Sequence, residues 1–335
     1  MPGPGIDTEK LKQRCREFAS RGRACAARTG AFCLACYGEV RRRVERHWPG
    51  IRRRLILYAR LTRLQRPIGA LLLLWPTLWA LWIAAAGRPS LHLLLVFVLG
   101  TFLTRSAGVA INDTADRGID PHVGRTVDRP LATGEVTPRE ALAVASVLLL
   151  AAFGLVLTTN RFTVLLSLAA IPIMAVYPFM KRHTYLPQFV LGVAFSWGIP
   201  MAFAAQLGHL TRITWLLFIA NLLWTVIFDT IYAMVDREYD LKIGVKSTAI
   251  LFAEADRHII GIMQAMMLTV LIIIGRQLQL HAVYFIALLL VAAQMVYHQY
   301  LIKDRNAEQC FRAFLYNNWL GATVFAGIFL NYLIA

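Results

Sequence analysis

Acidic residues are scarce in this chain: 19 Asp and Glu in 335 residues, against 35 Lys and Arg. Cysteine is scarcer still, with five, four of them before residue 37. No GxxxxGK[ST] stretch occurs, which excludes a P-loop nucleotide site. No D-G-x-x-A-R stretch occurs either, which removes the signature of the CDP-alcohol phosphotransferases. The most informative absence is charge of either sign, missing from windows of about 20 residues, long enough to cross a ~30 Å hydrocarbon core as helix. With 58% hydrophobic residues, the chain exceeds the apolar share of a soluble protein. A polytopic membrane protein follows.

The expected fold is an all-α bundle of nine transmembrane helices. The hydropathy pattern places them near 67–86, 90–111, 139–158, 162–180, 186–207, 213–235, 258–275, 281–302 and 311–334. Thr137-Pro138-Arg139-Glu140 supplies the third with an N-cap, a first-turn proline and a capping-box glutamate. Pro76, Pro172 and Pro200 fall inside spans, where neighbouring helices satisfy the freed carbonyls.

Segment 1–66 holds 17 Lys/Arg against five acids, so +12 of the net +16 sits there. One set of short loops holds four cations, Arg88, Arg161, Arg212 and Arg276, while the alternate set is far richer. The positive-inside rule then puts the N-terminus and all the motif-bearing loops in the cytoplasm. This distribution explains the basic balance by membrane orientation and attraction to anionic lipid, and excludes nucleic acid as the partner.

Residues 1–57 read as a basic cytoplasmic extension, and 58–335 as the membrane domain. Cys33 and Cys36 have metal-ligand spacing, but Cys15 and Cys25 do not complete a zinc pattern. The segment 38–54 has the character of a basic helix lying on the membrane. Asp7, Glu9 and Glu17 argue against a mitochondrial presequence, and no long apolar signal sequence is present.

Two acid clusters stand out against the general scarcity. Asn112, Asp116 and Asp120 close the second span at four-residue spacing, with Asp113 beside them. If the helix continues, the three share one face. Asp236 and Asp240 repeat the spacing at the end of the sixth span, and Asp229 lies two turns earlier. Both clusters end the second helix of a four-helix set, which predicts two pseudo-repeated sets, spans 1–4 and 5–8. Carboxylates at a membrane boundary are functional candidates. Carboxylates with an amide oxygen are hard ligands suited to Mg²⁺, which keeps waters and completes its shell with substrate phosphates. Neither cluster has a cysteine or paired histidines for a softer metal, and His122 stands alone as a loop residue.

Cations flank the acids: Arg125 and Arg129, Lys181 and Arg182, Lys242 and Lys246. Arginine forks and lysine point charges, with metal, describe a diphosphate site. At the mouth of an apolar bundle this points to an isoprenyl diphosphate, its head at the rim and its tail among the helices. Ionising its allylic C–O bond moves charge onto diphosphate, where cations stabilise it, while the bundle excludes water.

At these residues the chain resembles the UbiA family of intramembrane aromatic prenyltransferases, nearest its 4-hydroxybenzoate polyprenyltransferase branch. The likeness runs from about residue 58 to the end. It is carried by RPIGALLLLWPTLWAL, NDTADRGIDPHVGRTVDRPLATG, YPFMKRHTYLPQ, LGVAFSWGIPMAFAA and YAMVDREYDLKIGVKSTAILF. The resemblance implies that Asn112, Asp116 and Asp120 serve one Mg²⁺, with Asp113 beside them, and Asp236 and Asp240 a second. It also implies that Arg125, Arg129, Lys181 and Lys246 hold diphosphate, with Tyr177 nearby. Asp116, Asp236, Arg105 and Lys181 form the expected catalytic set. The implied reaction moves a polyprenyl group from polyprenyl diphosphate to the ring carbon ortho to the hydroxyl of 4-hydroxybenzoate, releasing diphosphate. The implied setting is ubiquinone biosynthesis in a bacterial inner membrane, or the mitochondrial one as the alternative, among membrane lipids.

Arg105 lies inside the second span, seven residues before Asn112. It reads either as a structural partner of Asp229 or helix carbonyls, or as the ligand of the aromatic carboxylate or diphosphate. Arg63 and Arg66 are alternative carboxylate partners, and Arg66 also suits a positive-inside anchor. Trp75, Trp79, Trp82, Phe195, Trp197 and Trp224 read as packing or interface residues. Two rivals share the acid-rich signature: the same fold with haem, dihydroxynaphthoate or a chlorin as acceptor, and an ion-coupled transporter. Transporter sites lie near the midplane, whereas these acids lie at the rim.

Overall fold

The computed structural model describes residues 48–50, 52–118 and 126–334, without the side chains of Lys181 and Ile243. Two compact units emerge, Met1–Leu57 and Tyr58–Ala335. Of the first, residues 48–50 and 52–57 are described and helical. Cys15, Cys25, Cys33 and Cys36, most of the basic segment 38–54, Asp120, His122 and Arg125 lie outside the described residues.

Every regular element described in the second unit is helical. In chain order these are α1 (Ile68–Ala84), α2 (Leu91–Ala115), α3 (Pro138–Val156), α4 (Arg161–His183), α5 (Pro187–Ser196) and α6 (Gly198–Leu207). There follow α7 (Arg212–Ile243), α8 (Thr248–Phe252), α9 (Asp256–Gln277), α10 (Ala282–Leu301) and α11 (Ala307–Ile334). Among the described residues, eight helical stretches are long and apolar enough to cross a membrane, with α5–α6 and α8–α9 each counted as one. The remaining helix, α1, is as apolar but has 17 residues, a rise of about 26 Å. The chain is a multi-pass membrane protein.

Helix boundaries follow from local chemistry. Thr137 Oγ1 accepts from the Glu140 amide at 3.3 Å while Glu140 Oε2 accepts from the Thr137 amide at 3.2 Å, the capping box expected for α3. Ser90 and Asn160 cap α2 and α4 by the simpler bond alone, their side chains accepting from the Leu93 and Thr163 amides. The fifth span differs from expectation in being broken, α5 ending at Ser196 and α6 beginning at Gly198. Pro200 explains the break: its ring has no N–H for the Ser196 carbonyl and clashes with it. The sixth span also differs, running to Ile243 and stopping only where Gly244 takes the left-handed conformation (φ 71°).

The helix α7 is the axis of the bundle. Its apolar window is 67% buried, against 17% for α3 and 11% for the apolar part of α4, which face outward. Around it pack α5, α9 and α11, while α1 joins α6 and α11. In lipid, helices associate by close packing rather than by escaping water. Trp79 stacks on Trp224 with ring centroids 5.3 Å apart, and Trp79 Nε1 donates to the Gly321 carbonyl at 3.0 Å. A Cβ on Gly321 would stand 2.4 Å from Trp224 and 2.7 Å from Trp75. Trp224 Nε1 donates to Asn317 Oδ1 at 3.0 Å, so its polar edge is satisfied inside the bundle. Gly321→Ala is therefore expected to destabilise the fold by about 1–3 kcal/mol through overpacking. Thermal unfolding in detergent checks this, with Gly100→Ala, where a Cβ meets nothing within 4 Å, as the neutral control.

Candidate active site

Three helix ends and their loops converge where the acid clusters lie. Arg182, at the end of α4, donates through Nη2 to the Ala115 carbonyl at 2.8 Å, tying α4 to α2. Lys246, in the α7–α8 loop, donates to the His183 carbonyl at 3.3 Å, tying that loop to α4. Its ammonium also lies 5.3 Å from the Tyr185 ring centroid. The same end is braced from the start of the domain: Tyr58 donates to Glu140 at 2.9 Å, and Arg60 reaches the Asp128 carbonyl at 3.1 Å and Glu135 at 3.3 Å.

The first cluster divides its labour. The helix α2 stops at Ala115, Asp116 is its C-cap, and residues 116–118 turn. The continued face expected through Asp120 is thus seen for its first two members. Asn112 Nδ2 donates to Asp116 Oδ2 at 3.1 Å, and Asp116 is buried. Asp113 points elsewhere. Its Oδ1 receives Arg63 Nη2 at 2.8 Å and Arg129 Nη1 at 3.0 Å, with its side chain only 2% exposed. The arginine pair neutralises a carboxylate that would otherwise be desolvated at high cost. Arg63 holds its position in the left-handed region (φ 54°), and Arg66 is exposed in the turn it forms.

The second cluster lies wholly within α7, so Asp236 and Asp240 stand one helical turn apart on one face, both half-buried. Asp229 and Tyr232 precede them on that face. Asp229 interacts electrostatically with Arg105 and Asp236, and Tyr177 with Asp116, Asp229, Arg105 and Tyr232. Tyr177 is thus within electrostatic reach of acids from both clusters, and Arg105 of Tyr177 and Asp229. Tyr232 was missed by the sequence reading, although its position four residues before Asp236 was an available signal. The backbone of Lys181 belongs to α4, one turn after Tyr177.

Arg105 sits deeper along α2. A Cβ on Gly69 would meet its Nη2 at 2.7 Å, so the guanidinium lies directly on the α1 backbone. Its other face is 5.9 Å from the Phe195 ring centroid. Asp229 is within electrostatic reach, yet the guanidinium forms no hydrogen bond or ion pair with the described residues. It is half-buried, held between the α1 backbone at Gly69 and the Phe195 ring.

The described residues contain no group of three or more His, Cys, Asp or Glu side chains assembled as a metal cage. The donors present are hard oxygens from Asn112, Asp116, Asp236 and Asp240. That set fits a cation taking part of its shell from waters and phosphate, as Mg²⁺ does, and does not suit a soft metal.

Comparison with known proteins agrees. Residues 73–324 match the UbiA prenyltransferase family model. The 4-hydroxybenzoate octaprenyltransferase of Alkalilimnicola ehrlichii is 57% identical over 281 residues, covering 84% of this chain and 96% of that one. Its counterpart from Aeromonas hydrophila is 56% identical over 278 residues, covering 83% and 97%. Among solved structures, the apo UbiA homolog from Aeropyrum pernix K1 superposes with a TM-score of 0.69 at 24% identity, covering 78% of this chain and 97% of its own. The UbiA homolog from Archaeoglobus fulgidus bound to GPP and Mg²⁺ gives 0.64 at 20%, covering 83% and 99%. The helical bundle, the acid-bearing helix ends and these matches together place the chain in the UbiA prenyltransferase family.

Proposed function

We propose that this chain is a 4-hydroxybenzoate polyprenyltransferase, transferring a polyprenyl group from its diphosphate to the ring carbon ortho to the hydroxyl and releasing diphosphate. The observation that carries the reading is the meeting of two acid-bearing helix ends around one fixed internal arginine, in a chain 57% identical to a 4-hydroxybenzoate octaprenyltransferase. The setting is ubiquinone biosynthesis in a bacterial inner membrane, with nine spans, the 1–57 extension and the acid clusters on the cytoplasmic side.

Asn112 and Asp116 from one cluster, Asp236 and Asp240 from the other, and Asp120 would hold Mg²⁺. When bound, that metal neutralises the charge gathering on diphosphate as the allylic C–O bond breaks. The remaining work falls to the chain itself. Lys181, Lys246, Arg125 and Arg129 bind the diphosphate oxygens, and Tyr177 stands over them. Asp113 acts by orientation: it fixes Arg129 and Arg63 rather than offering a free carboxylate, which replaces a metal-ligand role with a positioning one. Arg105 receives the carboxylate of the aromatic acid and so aligns its ring with the prenyl group. The apolar bundle keeps water from the allylic cation. Arg66, exposed in its turn, serves as a membrane-surface anchor.

Asp116→Ala and Asp236→Ala should each lower prenyl transfer by about a hundredfold or more, with the protein still folded in the membrane. Product formation from labelled 4-hydroxybenzoate measures this, and near-normal rates refute the metal assignment. EDTA should stop transfer and added Mg²⁺ restore it. Arg105→Gln should raise KM for 4-hydroxybenzoate at least about tenfold and leave KM for the prenyl diphosphate nearly unchanged, the mark of a lost carboxylate contact. Product from dihydroxynaphthoate, haem or a chlorin, with none from 4-hydroxybenzoate, would reassign the acceptor. Asp113→Asn should cost about 1–3 kcal/mol of stability, because it removes the charged hydrogen-bond partner that Arg63 and Arg129 share.

A further inference from the structure

Asp256 opens α9, belongs to neither acid cluster and is fully buried. Arg305 from the α10–α11 loop grips it from two sides, Nε at 3.0 Å from Oδ2 and Nη2 at 2.9 Å from Oδ1. The Arg257 amide adds a bond to Oδ1 at 2.7 Å. Arg305 Nη2 also donates to the Glu254 carbonyl at 2.8 Å, and Nη1 lies 3.4 Å from Glu254 Oε2. The bond to Asp256 raises the Arg305 pKa above its ordinary value, so the guanidinium stays charged at any physiological pH. Both loops that build it hold a non-glycine residue in left-handed backbone, Ala253 at φ 46° and Arg305 at φ 52°. Such conformations persist where the surroundings over-determine them.

One guanidinium already neutralises Asp256, yet a second comes to it. Arg237 Nη1 lies 3.7 Å from Asp256 Oδ2, with 24% of its side chain exposed. Arg237 is on α7, next to Asp236 and three residues before Asp240, a spacing at which opposite charges on a helix pair.

We propose that Asp256 is a positioning residue for the α7 acids, drawing the Arg237 cation toward α9 and away from Asp240. The inference rests on the metal reading of Asp236 and Asp240. A cation settling on those carboxylates competes with a divalent metal for the same oxygens. The Asp256–Arg305 clamp fixes the decoy carboxylate in place, and Arg237 is the charge it diverts.

The test is Mn²⁺ binding to the purified full chain with inorganic diphosphate, followed by electron paramagnetic resonance. Arg237→Lys leaves the buried Asp256–Arg305 pair intact. Its shorter side chain loses a contact that is already 3.7 Å long, while the i, i+3 spacing to Asp240 remains, so Mn²⁺ affinity should fall about three- to tenfold. Arg237→Gln, without the cation, should bind Mn²⁺ as tightly as the wild type or more tightly. Asp256→Asn should weaken binding as Arg237→Lys does, and adding Arg237→Gln to it should restore the affinity, a rescue that a purely structural role for Asp256 does not give. The proposal is overturned if Arg237→Lys binds as the wild type does, or if Arg237→Gln weakens binding as much as Arg237→Lys. Unchanged Mn²⁺ binding by Asp236→Asn overturns the metal reading itself, and this role with it.

Discussion

The cost of taking a carboxylate out of water governs the acid-bearing end of this protein. Asp113 and Asp256 are both essentially fully buried, and each is met by two arginines. Those pairs pin the chain at two places: the pre-α1 turn to the α2–α3 loop, and the α10–α11 loop to the start of α9. Ion pairs thus brace the described part of this end of the bundle. In the proposed reading, a diphosphate site needs its acids and cations kept from collapsing onto one another, and these pairs give two of the most buried acids partners of their own. Removing one member of such a pair is costly because the other remains buried.

Below the rim, the bundle is held by shape. Lipid removes most of the hydrophobic drive between helices, so contact quality decides which faces meet. Gly321 under Trp75 and Trp224, Gly198 against Thr77, and Gly69 under Arg105 are among the places where helices approach too closely for a Cβ. The break at Ser196–Gly198 belongs to the same logic. It lets α6 turn Gly198 onto α1 while α5 presents Phe195 to Arg105. Non-ideal helix geometry inside a membrane is tolerated where it is covered by protein, and here it helps to shape the site.

Much of this was legible in the sequence. Uncharged windows located the spans, Thr137-Pro138-Arg139-Glu140 located a cap atom by atom, and the i, i+4 acids marked the two helix ends. What was not legible has physical reasons. Hydropathy falls where charges crowd together, so it ended the sixth span near residue 235, whereas a helix that emerges from lipid continues until a residue such as Gly244 ends it. Spacing groups Asp113 with Asn112 and Asp116, but adjacent helical positions point about 100° apart, and Asp113 faces the arginines. Nothing local marks Asp256, whose partners lie 19 and 49 residues away in sequence. Long-range ion pairs leave no local pattern.

The position of Arg105 carries the proposed reaction further. It lies seven residues before Asn112 on one helix, about 10 Å deeper by helical rise. A charge at that depth is tolerated where it faces a polar interior or a ligand, and its contacts with Gly69 and Phe195 fix it without neutralising it. In the proposed reading, an aromatic acid anchored there enters carboxylate first. Its ring then lies between the deep arginine and the diphosphate at the rim. The para hydroxyl points back toward the acid clusters, and the carbon beside it becomes the ring position nearest the leaving group. Regiochemistry then follows from the separation of two charges along α2, with no need for a residue that touches the reacting carbon.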